Sequence, residues 1–256
     1  MLGQDIVRAA GGTAVALTRA DLDVTDAAAV REALAGATVI NCAAYTDVDG
    51  AESDRAGADA VNEQGARNVA EAAGRVLYVS TDYVFDGAKG EPYVESDTPS
   101  PIQEYGRSKL AGEHATAETN PDHLIVRSSW LFGAGGKNFV ETILGLAAER
   151  DELRVVDDQV GCPTFTGHLA EALLALAAGG ARGVLHVAGA GSCSWFEFAR
   201  EILDRAGVDT PVQPCATDAF PRPARRPPNS VLASERGSPA LPAWQDGLDA
   251  YLGVRA

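Results

Sequence analysis

Apolar and polar positions follow two periods along the chain, and the two take turns. Runs of four or five residues rich in Val, Ile, Leu and Ala, bounded by polar or turn-forming residues, read as strands over 13–17, 38–42, 76–80, 123–127, 153–156 and 184–187. Between them apolar residues fall three and four apart, the spacing of one helical face. Helices are predicted over 3–10, about 26–35, 56–73, through Tyr105 and Lys109 to about 118, then 138–149, 168–178, 195–206 and 244–252. Gly11-Gly12 and Gly36 supply stops, Thr25 or Asp26 and Ser194 supply N-caps, and Asn120-Pro121 breaks the fourth helix.

Strands alternating with helices at this spacing mean βαβ units. The expected fold is α/β: a Rossmann-like, doubly wound parallel sheet with helices on both faces. Ligands of such sheets bind outside the carboxyl ends of the strands. Polar residues recur there: Thr18-Arg19-Ala20-Asp21, Ala43-Ala44-Tyr45-Thr46, Thr81-Asp82 and Ser128-Ser129-Trp130. Their recurrence favours one shared crevice. From about residue 210 the texture changes, with eight prolines from Pro211 to Pro242 that exclude regular sheet and long helix. This tail is expected to form a smaller, loop-rich lobe over the crevice, anchored by Phe220, Leu232 and Trp244. A nucleotide-binding domain over 1–130 and about 165–190 follows, with a substrate lobe over about 131–164 and 191–256.

Composition narrows the partners. The 256 residues carry 36 acidic against 21 basic side chains, a net charge of −15, which argues against nucleic acid. Abundant Asp and Ala with three lysines resembles the bias of proteins from salt-loving organisms. No apolar run is long enough to span a membrane, and the start lacks the pattern of a signal peptide, so a cytoplasmic protein is expected. Cys42, Cys162, Cys193 and Cys215 are scattered without C-x-x-C spacing, and the four histidines form no ligand cluster, so no metal site is indicated.

The chemistry gathers between residues 80 and 109. Tyr105 and Lys109 lie four apart, on one helical face. Of the six tyrosines only Tyr105 has a lysine at that offset. A free tyrosine titrates near ~10 and is a poor acid at neutral pH; a nearby ammonium stabilises the phenolate and brings it toward a useful range. S-T-D follows a buried-type strand and supplies hydroxyl and carboxyl groups at the same mouth.

A nucleotide-binding fold of this kind begins with a strand and a glycine-rich turn that present backbone N–H groups to a pyrophosphate. Here Met1-Leu2-Gly3 already opens the first helix, and Gly133 to Gly136 lies too late in the chain to replace that turn. Two accounts remain, a downstream methionine of a longer natural protein or a chain that binds cofactor poorly and is unstable, and the first is the expectation because every later part is intact.

The motifs V-I-N-C-A-A-Y-T-D-V-D-G-A-E (39–52), S-T-D-Y-V-F-D-G (80–87), Y-G-R-S-K-L-A-G-E (105–113), R-S-S-W-L-F (127–132), V-V-D-D-Q-V-G-C-P-T (155–164) and S-W-F-E-F-A (194–199) occur in this order. With P-Y-V-E-S-D (92–97), N-F-V-E-T (138–142) and R-P-P-N-S-V-L (226–232), the chain resembles dTDP-4-dehydrorhamnose reductases, which are extended short-chain dehydrogenase/reductases. The resemblance implies NAD(P)H-dependent reduction of a 4-keto group on a dTDP-linked 6-deoxyhexulose to dTDP-L-rhamnose. It assigns Tyr105 as proton donor, Lys109 to the nicotinamide ribose and to lowering the Tyr105 pKa, and Thr81 to the carbonyl oxygen. Asp82 and Trp130 match substrate-pocket positions. Asp21 and Leu22 match an adenine-contacting pair, Ala43, Ala44, Tyr45 and Val79 line the cofactor, and Met1, Leu2 and Gly3 match the end of the phosphate turn.

Thr18-Arg19 stands where an acidic residue would favour NADH, so NADPH is expected over NADH. Some relatives dimerise, so a homodimer is open, and a divalent metal at such an interface would not show in the sequence. The rival class is a non-catalytic relative, the regulatory subunit of methionine adenosyltransferase; such a chain would be expected to lose part of Thr81, Tyr105 and Lys109. A nearer rival is another sugar-nucleotide reductase or epimerase. A dehydratase is disfavoured because Tyr83, not Glu, follows Asp82.

Overall fold

The computed structural model describes residues 1–255. Its elements in chain order are α1 (Leu2–Ala9), α2 (Ala27–Leu34), β1 (Thr38–Asn41), α3 (Arg55–Asp59), α4 (Ala66–Ala72), β2 (Arg75–Thr81), α5 (Glu104–Thr119) and β3 (His123–Ser128). There follow β4 (Leu131–Phe132), α6 (Phe139–Glu149), β5 (Leu153–Val156), β6 (Val160–Gly161), β7 (Thr164–Phe165), α7 (Thr166–Ala178), β8 (Gly183–His186), β9 (Cys193–Ser194), α8 (Trp195–Arg205), β10 (Val212–Cys215) and α9 (Trp244–Arg255).

The central sheet has the order β1-β2-β3-β8, all parallel, with Thr38 opposite Arg75, Val76 opposite His123 and Leu124 opposite Gly183. Both faces are covered, so successive strand residues are buried in opposite directions. Leu77, Leu124, Val126 and Leu185 meet Leu2 and Ile6 of α1 and Leu169 and Leu173 of α7. On the other face Val76 packs with Val30 of α2 and Val69 of α4, and Tyr78 with Ala66 and Ile125. This is a Rossmann-like α/β fold. A further apolar cluster joins Phe132, Val140 and Ile143 of α6, Phe198 and Ile202 of α8, and Trp244 and Leu248 of α9.

Local chemistry starts the helices where the sequence places them. Asp26 accepts from the Ala28 and Ala29 N–H groups, Asn138 caps α6, and Ser194 with Glu197 forms a capping box on α8.

Three expectations are corrected. Residues 13–17 form no strand: Val15 is 88% exposed, and among the described residues β1 pairs with β2 alone. A strand needs a hydrogen-bonding neighbour, and among the described residues no strand lies beside this segment. The helix expected over 56–73 is interrupted by a π-helical turn, Ala60–Gly65. The proline-rich tail does hold a strand, β10, parallel to β5. Pro214 is tolerated there because the pair has only two strands and each is an edge.

Candidate active site

Parallel register brings three strand ends to one mouth: Ala43-Ala44-Tyr45 after β1, Thr81-Asp82 at the end of β2, and Ser129-Trp130 after β3. The α5 helix runs across them. It approaches closely because two of its residues have no side chain. A Cβ on Gly106 would lie 2.0 Å from the Tyr83 carbonyl oxygen, and one on Gly112 would lie 2.0 Å from that of Asn62. Gln103 caps the helix by accepting from the Gly106 N–H at 2.5 Å.

Thr81, Tyr105 and Lys109 are brought together at this mouth. The Thr81 hydroxyl donates to Asp82 Oδ1 at 3.0 Å, accepts from the Tyr83 N–H, and lies close enough to the Tyr105 phenol to favour its ionised form. Lys109 is 2% exposed; its Nζ donates to the Val79 carbonyl at 2.7 Å and lies 4.0 Å from the centre of the Tyr78 ring. Burial holds this ammonium down to about 7, with the Glu113 carboxylate pulling the other way. The Tyr105 phenol is held up rather than down: burial raises it first and the charge of Asp82 adds to that, whereas the Thr81 hydroxyl opposes both. Among these influences the Asp82 charge, not the Lys109 charge, is the one felt at the phenol. Lys109 is instead drawn to Val79, Tyr78 and Glu113.

Asp82 is buried beside Thr81, at the start of the 3-10 turn Asp82–Val84. Burial pushes its carboxyl up to about 7. Trp130 is the one non-glycine residue with positive φ among those described, at 48°, a conformation that costs a bulky residue energy. Its ring lies flat on Trp195, with centroids 3.4 Å apart and planes 3° from parallel. Gly161 leaves room for it, since a Cβ there would meet the indole at 2.4 Å.

Other sequence-predicted residues take different places. Leu2 is buried in the sheet core between α1 and α7, and Gly3 is exposed. Met1 sits against Gly136, so the glycines after β4 serve to pack the start of α1. Thr18, Arg19 and Asp21 lie exposed on the segment that fails to join the sheet. Asp21 accepts from both the N–H and the hydroxyl of Thr18, the hydroxyl first in holding its carboxyl down. Leu22 packs with Val24 against the α2–α4 cluster.

Several supporting residues have no role that the sequence assigns. Asn62, fully buried in the π-helical turn, accepts from Tyr45 N–H at 2.9 Å, donates to the Tyr45 carbonyl at 3.1 Å, and donates to Ser108 Oγ on α5 at 2.9 Å. It thereby ties the loop after β1 to the helix that carries Tyr105. Glu113 forms a bidentate pair with Arg127 of β3 and accepts from Ser80 at 2.5 Å. Its spacing held a signal, since Tyr105, Lys109 and Glu113 recur every four residues on one face. Asp49 receives Arg226, Arg222 and the Ala224 N–H.

A reduced nicotinamide fits these donors. An ammonium has three N–H bonds, and the Val79 carbonyl takes one of those on Lys109, leaving donors for ribose hydroxyls. The first-turn N–H groups of α1, whose N-cap makes no side-chain hydrogen bond, suit a phosphate. Among the described residues no three His, Cys, Asp or Glu side chains gather where they could hold a metal ion. No helix there is long and apolar enough to cross a membrane.

Comparison with known proteins completes this description. Residues 1–255 match the family described as RmlD substrate binding domain. The chain is 44% identical over 257 residues to a dTDP-4-dehydrorhamnose reductase of Mycolicibacterium smegmatis, covering 95% of this chain and 79% of the relative. A crystal structure of a dTDP-4-dehydrorhamnose reductase from Clostridium acetobutylicum superposes with a TM-score of 0.93 at 38% identity, covering 99% of this chain and 95% of the other. The Bacillus anthracis dTDP-4-dehydrorhamnose reductase, solved in complex with NADP, gives a TM-score of 0.89 at 36% identity, covering 100% and 95%.

Proposed function

The chain belongs to the dTDP-4-dehydrorhamnose reductase family, and from that premise we propose that it reduces the 4-keto group of dTDP-4-dehydro-6-deoxy-L-mannose to dTDP-L-rhamnose, with Tyr105 as proton donor. Bound NADPH supplies the hydride to the carbonyl carbon. The observation that carries this reading is the meeting of buried Thr81 and Lys109 with the half-buried Tyr105 at one strand end, with Lys109 keeping donors for a ribose.

Each residue has a task in it. Thr81 hydrogen-bonds the ketone oxygen and aligns it with Tyr105. Tyr105 transfers its phenolic proton to that oxygen as negative charge develops there, the point at which a placed donor contributes most. Lys109 holds the ribose and sets the distance to the ketone. Ala43, Ala44, Tyr45 and Val79 form the wall beneath the nicotinamide half, and Trp130 packs the sugar from the β3 side. The lobe built on α6, α8 and α9 excludes water. NADPH is favoured over NADH because Asp21 is already engaged by Thr18. Arg19 is left as the group beside a 2′-phosphate. The pools of nucleotide sugar and reduced nicotinamide that the reaction draws on place it in the cytoplasm.

The test is to mix the chain with NADPH and dTDP-4-dehydro-6-deoxy-L-mannose and follow NADPH absorbance, identifying the product by mass and NMR. NADPH is expected to be consumed and dTDP-L-rhamnose formed, and Tyr105→Phe to lower kcat by about 10²–10⁴-fold. NADPH binding without turnover of any keto sugar nucleotide would instead mark a non-catalytic relative.

A further inference from the structure

Asp82 is a buried acid to which the reduction described above gives no task. It is 2% exposed. Its Oδ1 accepts from Thr81, while Oδ2 is buried with no hydrogen bond of regular geometry, the Ser230 hydroxyl facing the carboxyl from the proline-rich segment. A carboxylate so placed carries a large desolvation cost that protonation removes. The other groups that feel it are the phenols of Tyr83 and Tyr105 and the thiol of Cys162 after β6. Arg226 reaches Tyr83 rather than Asp82. Thr81 therefore stands between two acids, hydrogen-bonded to Asp82 on one side and beside the Tyr105 phenol on the other.

We propose that Asp82 is a positioning residue that acts as the proton reservoir behind Tyr105, refilling the phenol through the Thr81 hydroxyl. This rests on the ketoreductase reading, in which Tyr105 protonates the substrate oxygen. When the carbonyl carbon has accepted hydride and its oxygen has taken the Tyr105 proton, a phenolate is left. Thr81 gives its hydroxyl proton to that phenolate and takes the carboxyl proton of Asp82. Thr81 ends unchanged, Tyr105 is neutral, and Asp82 is a carboxylate. A proton from water restores Asp82 after product leaves, so each turnover consumes one hydride and one solvent proton. Because burial holds the Asp82 carboxyl up at about 7, the reservoir is full below neutrality and drains above it.

Lys109, held down to about 7, is the alternative source of a loss of rate above neutrality, so the experiment separates the two. The pH dependence of kcat is measured with NADPH and the keto sugar nucleotide for the wild type, Asp82→Asn and Ser230→Ala. Infrared difference spectra of the cofactor-free proteins are recorded over the same range. The wild type is expected to lose rate as pH rises through about 7. Asp82→Asn lowers the acid-side kcat by roughly 10²-fold and abolishes that limb. Ser230→Ala, which removes the hydroxyl that favours the carboxylate, moves the limb to higher pH. A protonated-carboxyl band that titrates near neutrality is present in the wild type, shifted in Ser230→Ala and missing in Asp82→Asn. A limb unchanged in active Asp82→Asn assigns it to Lys109 and overturns the proposal alone. So does the absence of any such band in the wild type, even if Asp82→Asn fails to fold. A wild type that reduces no keto sugar nucleotide overturns the ketoreductase reading and this proposal with it.

Discussion

Asp82 and Lys109 carry opposite charges when ionised, yet burial pushes both carboxyl and ammonium toward neutrality, to about 7 in each case. Desolvation disfavours whichever form is charged. Function of this kind is held at the expense of stability, and the sign can be worked out for Asp82. Its folded-state value lies above the ordinary 3.8, so between those values the folded protein binds more protons than the unfolded chain, and stability falls as pH rises through that window. The gap between the two values corresponds to roughly 4 kcal/mol. Urea unfolding of the wild type and Asp82→Asn, compared at about pH 4 and about pH 8, should show the wild type losing on the order of 4 kcal/mol relative to the variant. A difference that stays flat with pH would show that Asp82 titrates normally.

At the scale of elements, α5 carries Tyr105 and Lys109 and the rest of the molecule holds it in place. Gly106 and Gly112 let it approach Tyr83 and Asn62, and Glu113 locks it to β3 through Arg127, both side chains being buried. Arg127 also faces the Phe85 ring and His186. Replacing one member of a buried pair leaves an uncompensated charge, whereas replacing both with apolar residues is far less costly. Arg127→Met is expected to destabilise the protein by about 3–5 kcal/mol. The double variant Glu113→Leu with Arg127→Met should recover most of that loss in denaturant midpoints. Equal losses in the single and double variants would mean that the pair is not the cause. Because Glu113 sits one turn beyond Lys109, both variants should also lower kcat, since small displacements of a catalytic face are costly.

For the whole molecule, the central sheet and the α6–α8–α9 cluster form separate apolar cores. The proline-rich segment is tied back to the sheet by Asp49, whose carboxyl the Arg226 hydrogen bond holds down at about 2. Arg226 in turn reaches Tyr83, next to Asp82. Asp49→Ala should release this segment without touching the reacting groups. KM for the sugar nucleotide is expected to rise several-fold with kcat nearly unchanged, and trypsin should cut faster after the exposed Arg225. A variant with wild-type KM and wild-type proteolysis would show that the latch plays no part in holding the segment.

What the sequence determined by itself was local. Short apolar runs and apolar residues three and four apart located the four strands of the sheet and most helices, and caps such as Asp26 and Ser194 marked their starts. The four-residue spacing put Tyr105 and Lys109 on one face. These features depend on neighbours within one or two turns, so they can be read without knowing the chain path. Tertiary structure decided the rest. Residues 13–17 have strand composition and form no strand, because a strand exists only with a partner. Asn62 meets Ser108 across 46 residues, and Arg226 meets Asp49 across 177; no periodicity encodes such meetings. The acidity of Asp82 likewise depends on which distant segments exclude water from it, and only the folded chain sets that.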